Sequence, residues 1–457
     1  MPVKTASYRP TNNELEFLKT EDAEASNACV RANMVIDQIS RDRRSTDASR
    51  RGKELSTPAH ISSDAVRNDA QNFSLVLGGP LYRLLRRVHL SDDAHLMLRQ
   101  RVLVIALLGW LPLLVLSAIQ GHLWGQSVAV PFLLDLEVHI RFLIVVPLLV
   151  IAELVVHQRL RTIATAFLER NLIPENDLPR FDKAITSAFR LRNSVIAEVL
   201  LILIVYGVGV LVVWRQFTVL SADTWVAPAS SAGSKLSLAG FWYGYLSIPL
   251  FQFLLLRWYF RMFIWARFLG HVSRIKLALI PTHPDRVGGL GFLSNTVYAF
   301  SVLVVAHGAM ISSQIANRIF FMGSTLTEFD GEIAMVATFL LCLIFGPMLV
   351  FVPQLAQAKR TGLREYGTFA ETYVRDFDRK WLRGGKSRDE APIGSADIQS
   401  LADLANSFEV VRSMRLVLVT KDAILQLGVA LFLPMLPLLL TMMPLKELLM
   451  RLAHIVF

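Results

Sequence analysis

Two shortages define the chain: it has little cysteine and little charge. Cys29 and Cys342 are its two cysteines. The first lies in a polar stretch and the second in an apolar run, and no Cys-x-x-Cys occurs. A disulfide framework and a thiolate zinc site are therefore excluded. Charged residues make up 18% of the sequence, against roughly 25% in an average soluble domain. Met1–Val30 contains no apolar stretch of the kind a cleavable signal peptide requires. Gly-x-Ser-x-Gly, His-Glu-x-x-His, the kinase motifs and a haem-type cysteine motif are missing too. On these grounds the enzyme question stays open and leans towards no, with an enzyme built from scattered His and Asp residues as the third-ranked reading.

The charges that are present come in blocks. Between them lie apolar runs long enough to cross a hydrocarbon core of about 30 Å at about 1.5 Å per residue. Seven such runs fall at 102–119, 140–156, 195–214, 238–256, 290–313, 333–355 and 423–443. The expected fold is all-α, a helical transmembrane bundle of about seven spans with cytoplasmic amphipathic helices, because backbone in lipid must satisfy its own hydrogen bonds. Residues 1–72 read as a disordered polar tail, with Met34 as an alternative start. Residues 73–355 form the bundle with its loops, 356–422 a cytoplasmic helical hairpin, and 423–457 the last span and C-terminal end, where 445–457 can form a short interfacial helix.

With the N-terminus placed in the cytoplasm, 41 of the 47 Lys and Arg residues fall on the inner side. This is the positive-inside bias. It accounts for the net charge of +10 without invoking nucleic acid. Aromatic side chains at Trp214, Trp242, Tyr243 and Tyr245 suit the outer interface, and Trp258, Tyr259 and Trp265 the inner one. The lipid bilayer is the expected partner. A cytoplasmic protein and a second copy of the chain are both compatible with the pattern.

Residues 73–101 suggest an interfacial amphipathic helix, with Leu81, Leu84, Leu85 and Val88 on one face beside Arg83, Arg86 and Arg87. Helical loops follow. Gln158–Asn171 continues the second span, Pro174 and Pro179 break it, and a helix then leads into the third. After the sixth span Leu363, Tyr366, Phe369, Tyr373, Phe377 and Trp381 form a stripe at three- and four-residue steps, ended by Gly384-Gly385. Asp397 is placed to cap a second helix carrying Ile398, Leu401, Leu404, Phe408 and Val411. The two stripes can pack on each other or bind a partner. No internal repeat is visible, so an inverted-repeat transporter is not indicated.

Ionisable residues inside apolar runs are expensive and mark candidate sites. Glu153, Glu198, Arg257 and Arg261 share a similar depth in the inner leaflet and can form one acid–base cluster, either an ion or proton relay or a set of ion pairs fixing helix register. Near the outer face, Asp135 and His139 are spaced as an i,i+4 pair, as are Glu137 and Arg141, and His307 can approach them. An extended re-entrant segment is the alternative there. The spacing matches no metal motif, and neither a metal nor another cofactor is expected.

The third candidate is the loop Pro281-Thr282-His283-Pro284-Asp285-Arg286-Val287-Gly288-Gly289-Leu290-Gly291-Phe292-Leu293. Pro284 fits the first position of a helix and Asp285 its first turn. The glycines can admit a neighbouring helix, or cradle an anion with Arg286. Neither a P-loop nor a dinucleotide fingerprint fits. This loop, with Ala396-Asp397-Ile398-Gln399-Ser400-Leu401-Ala402-Asp403, resembles a group of uncharacterised multi-pass bacterial membrane proteins over residues 75–440. The resemblance implies a bacterial inner membrane and no particular activity. Permeation of an ion or small solute along Glu153, Glu198, Arg257 and His307 is the leading functional expectation. A membrane scaffold, sensor or accessory subunit binding a cytoplasmic partner is the alternative.

Overall fold

A computed structural model describes residues 63–80, 96–125, 127–214, 223–228, 236–384 and 396–441. The tail 1–62, the leucines and arginines of 81–95, the loop 385–395 and the C-terminal 442–457 lie outside the described residues. So do the disorder, the interfacial helices and the internal start expected there.

The described chain is built from helices, with one isolated bridge between Val130 and Thr224. Six helices are long and apolar enough to span a membrane: α2 (Arg99–Ile119), α3 (Leu136–Glu169), α6 (Leu238–Val272), α7 (Leu290–Met322), α8 (Leu326–Leu382) and α10 (Lys421–Leu439). A seventh span is reached if α5, which starts as Val195–Ile204 and continues as the π-helix Val205–Trp214, is taken together with the helix before it as one bent span. α5 follows α4 (Glu175–Arg192) at a bend of 48°. The bend has a local cause: the Ser194 hydroxyl accepts a hydrogen bond from Ala197 N–H and starts a new helix. The protein is a multi-pass integral membrane protein.

The helices outrun the apolar segments of the sequence. α3 has 34 residues and α6 has 35, lengths of roughly 50 Å at about 1.5 Å per residue, well beyond a hydrocarbon core of about 30 Å. The excess emerges on the side whose loops are rich in Lys and Arg, called here the basic side. There α3, α4, α6 and the start of α7 form a second core of aromatic rings. Phe73 packs 4.9 Å from Phe268, and Phe167 packs 5.0 Å from Phe292, centroid to centroid. Trp258 and Trp265, expected at an interface, are buried within this basic half of α6, and Tyr243, expected at the opposite interface, is buried as well. Packing against neighbouring helices overrides the interfacial preference of these three rings.

Proline shapes two of the long helices. Arg141–Val145 and Tyr243–Ser247 are π-turns, placed immediately before Pro147 and Pro249. Proline has no N–H to donate and its ring crowds the preceding turn, so the backbone widens there. The two widened turns face each other and bring Arg141 onto the Tyr243 hydroxyl.

α7 is the centre of the bundle: 72% of its apolar window is buried, against 22% for α2. Its inward face carries Ala299, Ala306, Gly308, Ala309, Ser312, Ser313 and Ala316, small residues that let helices approach closely in lipid. The closest approach is at Gly308, where a Cβ would collide with the Leu431 carbonyl of α10.

Two stretches depart from the expected elements. Ser63–Gln71, expected as part of the tail, is a helix (α1) that buries Val66 and Ala70. Residues 73–79, expected as part of a helix, are irregular, because the Ser74 hydroxyl takes the N–H groups of Val76 and Leu77. Gly78 and Gly79 then adopt φ of 135° and 94°, incompatible with a helix.

Beyond the membrane, α8 continues to Leu382 and packs against α9 (Ala396–Arg412). The stripe from Leu363 to Trp381 is therefore half-buried, with Phe369 exposed. Asp397 falls inside the first turn of α9 instead of capping it. Its carboxylate accepts from Lys380 Nζ at 2.7 Å and Trp381 Nε1 at 3.1 Å, clasping the hairpin.

Gly308→Ala should lower stability by about 1–3 kcal/mol, because the obstacle is backbone and cannot rotate away. Gly270→Ala, with open space around it, should not. Thermal unfolding of the two purified variants against wild type checks this.

Candidate functional site

Glu153 is the best-connected charge in the bundle. It sits on α3 where α2 and α6 cross it, and it is buried. Its Oε2 accepts from Arg101 Nη2 at 2.7 Å and its Oε1 from Arg261 Nη2 at 2.8 Å. Arg257, one turn before Arg261 on α6, lies 3.7 Å from the same carboxylate and 3.7 Å from Glu198 Oε1 on α5. The four residues singled out in the sequence are thus adjacent, and Arg101 joins them. Among the described residues three guanidiniums meet two carboxylates, an excess of positive charge.

The surroundings hold these side chains in place. Arg261 lies over the Trp258 ring, 4.7 Å from its centroid. That ring is fixed in turn, since Trp258 Nε1 donates to the Leu149 carbonyl at 2.9 Å. Arg257 differs from its neighbours: both of its carboxylates are beyond hydrogen-bond distance. It borders a small cavity of about 10 Å³ shared with Arg192, Glu198 and Arg261. Glu198 also lines a larger cavity of about 580 Å³ between α2, α5 and α6.

The outer residues form a different network from the one their spacing suggested. Residues 136–140 are helical, not extended. Asp135 does not pair with His139. Its carboxylate caps the helix by accepting from Val138 N–H and also accepts from Trp225 Nε1 at 2.8 Å and Asn317 Nδ2 at 2.7 Å. His139 Nδ1 accepts from Trp110 Nε1 at 2.9 Å. Glu137 and Arg141 do form an ion pair, extended by Tyr243 and Gln314. His307 is not part of this network. α7 runs on to Met322, so His307 lies at mid-helix. There Nδ1 donates to the Leu303 carbonyl at 2.6 Å, and Nε2 accepts from the Tyr259 hydroxyl at 2.7 Å.

The loop before α7 is closed by its own carboxylate. The helix starts at Leu290, later than Pro284 suggested, because Arg286, Gly288 and Gly289 all take positive φ, at 57°, 67° and 98°. This turn points the N–H groups of Val287, Gly289 and Gly291 at Asp285, which accepts all three at 2.9–3.1 Å. The anion cradle expected from the glycines is filled by Asp285, and the Arg286 side chain is exposed. His283 Nδ1 lies 2.9 Å from the same carboxylate. Arg170 on α3 donates to the Gly289 carbonyl and Arg415 Nη2 to the Asp285 carbonyl. The loop therefore ties three parts of the basic side together.

Sequence reasoning missed Arg101 as a member of the Glu153 group, because a charge at a span end reads as a flank. It missed Asn317 and Trp225, whose role depends on contacts across the fold. No cluster of three or more His, Cys, Asp or Glu side chains suited to a metal occurs among the described residues.

Comparison of the chain with protein-family models, curated proteins and solved structures gives no match. The charge group and its two cavities are therefore read from their own geometry.

Burial opposes ionisation of Asp285, but the N–H groups of Val287, Gly291 and Gly289, with His283, outweigh it and hold the carboxyl below its ordinary range. A lowered folded-state value stabilises the protein above the unfolded value of about 3.9, and that stability disappears as pH falls through the folded value. Asp285→Asn should thus cost on the order of 3 kcal/mol at neutral pH. The gap between variant and wild type should begin to narrow as pH falls below about 4 and should close only once pH has passed the lower folded value, where the wild-type carboxylate is itself protonated. Melting curves between neutral and acid pH check both statements.

Proposed function

We propose that the protein moves a small anionic solute across the bacterial inner membrane, with its N-terminus and basic side in the cytoplasm and the Glu153 group forming the inner end of the path. The carrying observation is the charge balance of that group among the described residues: three guanidiniums, of which Arg257 and Arg261 are buried and Arg101 half-buried, against two carboxylates. A buried positive excess repels cations and attracts anions. Within the group the roles divide. Glu153 is held by two short hydrogen bonds and serves as the anchor of α2, α3 and α6. Arg257 is held only by longer ion pairs and borders a cavity, so it is the guanidinium free to exchange partners. An arriving anion would replace one of its distant carboxylates. Tyr259, between Arg257 and Arg261 on α6, hydrogen-bonds His307 on α7, and this pair is the next polar step in the proposed path. The inner-membrane location, the orientation and the kinship with the bacterial group are part of this reading, supported by the distribution of Lys and Arg and by the loop residues.

The scaffold reading retains one supporting observation. Phe369, Val374, Leu382 and Ile398 stay exposed on the α8–α9 hairpin. The rest of the stripe that would have formed its main docking face is half-buried by packing against α9, and for that reason permeation ranks first.

Flux of a panel of inorganic anions and small carboxylates, measured in liposomes holding wild type, Glu198→Gln or Arg257→Gln, tests the proposal. At least one anion should cross at a rate that Arg257→Gln reduces tenfold or more while the protein remains folded. Absence of wild-type flux for every member of the panel would overturn it in favour of the scaffold.

A further inference from the structure

The larger cavity has a shape that the permeation reading does not use. It is about 580 Å³, within the roughly 300–1,000 Å³ of small-molecule sites. Its walls come from Leu108 on α2, from Ile202, Val205 and Tyr206 on α5, and from Leu246, Pro249, Leu250 and Phe253 on α6, with Pro80 and Glu198 at one end. Apart from Glu198 no wall residue is ionisable at neutral pH. The cavity opens between helices, and α5 is the reason. That helix packs on α6 mainly through Leu201, Val205 and Val210, while Ile196, Val199, Leu200, Leu203 and Val208 are exposed.

The wall residues run along the lengths of α5 and α6, so the cavity extends roughly along these helices. From Glu198 to Tyr206 along α5 is about 12 Å at about 1.5 Å per residue, close to half of a hydrocarbon core of about 30 Å. The groove therefore matches one leaflet in length. An apolar groove of that depth facing lipid matches a hydrocarbon chain and cannot solvate a bare ion.

The charged end selects among chain-bearing molecules. Behind Glu198 lies the small cavity bordered by Arg192, Arg257 and Arg261; with Glu153 also paired to Arg257 and Arg261, three guanidiniums meet two carboxylates there among the described residues. Arg192 is anchored by donating to the Ser74 carbonyl at 2.6 Å and stacking over Phe189. Basic pockets between transmembrane helices at a membrane face bind anionic lipid head groups. We infer that the α2–α5–α6 groove is a specific site for an anionic phospholipid, one acyl chain lying along Ile202, Val205, Leu250 and Phe253 and the phosphate at the mouth beside Pro80, within the field of Arg192 and Arg257. The site shares Glu198 and Arg257 with the charge group but does not depend on whether that group conducts.

Native mass spectrometry of the full-length protein in mild detergent tests this, with phosphatidylglycerol and phosphatidylcholine of identical acyl chains as probes. Wild type should retain phosphatidylglycerol at least fivefold over phosphatidylcholine. Ile202→Trp and Leu250→Phe fill the groove from two different helices, and each should reduce retention at least fivefold with an unchanged melting temperature. Arg192→Gln should bring the ratio of the two lipids towards one, while Arg192→Lys should preserve the preference. Equal retention of both lipids by wild type overturns the assignment. So does retention that survives both groove-filling changes, which would place the lipid elsewhere and leave the groove to another occupant such as the chain's own residues 81–95. Full displacement by an equal amount of oleate would overturn the phosphate requirement. None of these readouts involves flux, so this site and the permeation path can fail separately.

Discussion

A carboxylate in hydrocarbon is tolerable only if cations reach it, and Glu153 is reached from two helices. Arg101 comes from α2, and Arg257 and Arg261 come from α6. The desolvation cost of such a group is several kcal/mol per ion and is offset only when the geometry is good on every side. That requirement fixes the register of α2, α3 and α6 against one another. Sliding any of them by a turn would leave a buried charge without its counterion. Apolar packing alone does not impose this, since Leu, Ile and Val faces slide past one another in lipid at small cost. The positions of α5, which reaches the group through Glu198, and of the groove beside it follow from that registration.

Much of this was legible in the sequence, for a definable reason. Hydrocarbon forces each crossing to be an apolar helix, so the spans stand out, and a charge inside one stands out further. Glu153, Glu198, Arg257 and Arg261 could be named and grouped by depth alone, although their functional role could not. Arg101 could not be assigned to them. At the end of an apolar run an arginine looks like a side chain reaching for head groups, and only the crossing angle of α2 and α3 decides otherwise.

The errors share one cause: a local rule gave way to a tertiary partner. Asp135 and His139 are correctly spaced to meet, but Trp225 and Asn317 offer Asp135 better donors, and Trp110 offers His139 one. Pro284 looks like a helix start until Asp285 turns the chain back on itself by collecting three N–H groups. Asp397 looks like a cap until Lys380 and Trp381 claim its carboxylate. Trp265 looks interfacial until α3 and α6 are seen to extend past their apolar segments and carry a second core there, and Trp258 until the Leu149 carbonyl and Arg261 are seen to claim its ring. Apart from the Asp285 turn, which is local, each of these outcomes depends on a partner more than ten residues away.

Coupling between Glu153 and Arg261 is the direct test of whether this group registers the bundle. A double-mutant cycle with Glu153→Gln, Arg261→Met and the pair would measure it by unfolding in mixed micelles. Each single change leaves a buried charge poorly compensated, so each should cost about 3–5 kcal/mol. The double variant should recover a large part of that loss, giving a coupling of at least about 1 kcal/mol. Costs that simply add would contradict the account, and would mean that the helices find their register from packing, with the charges following.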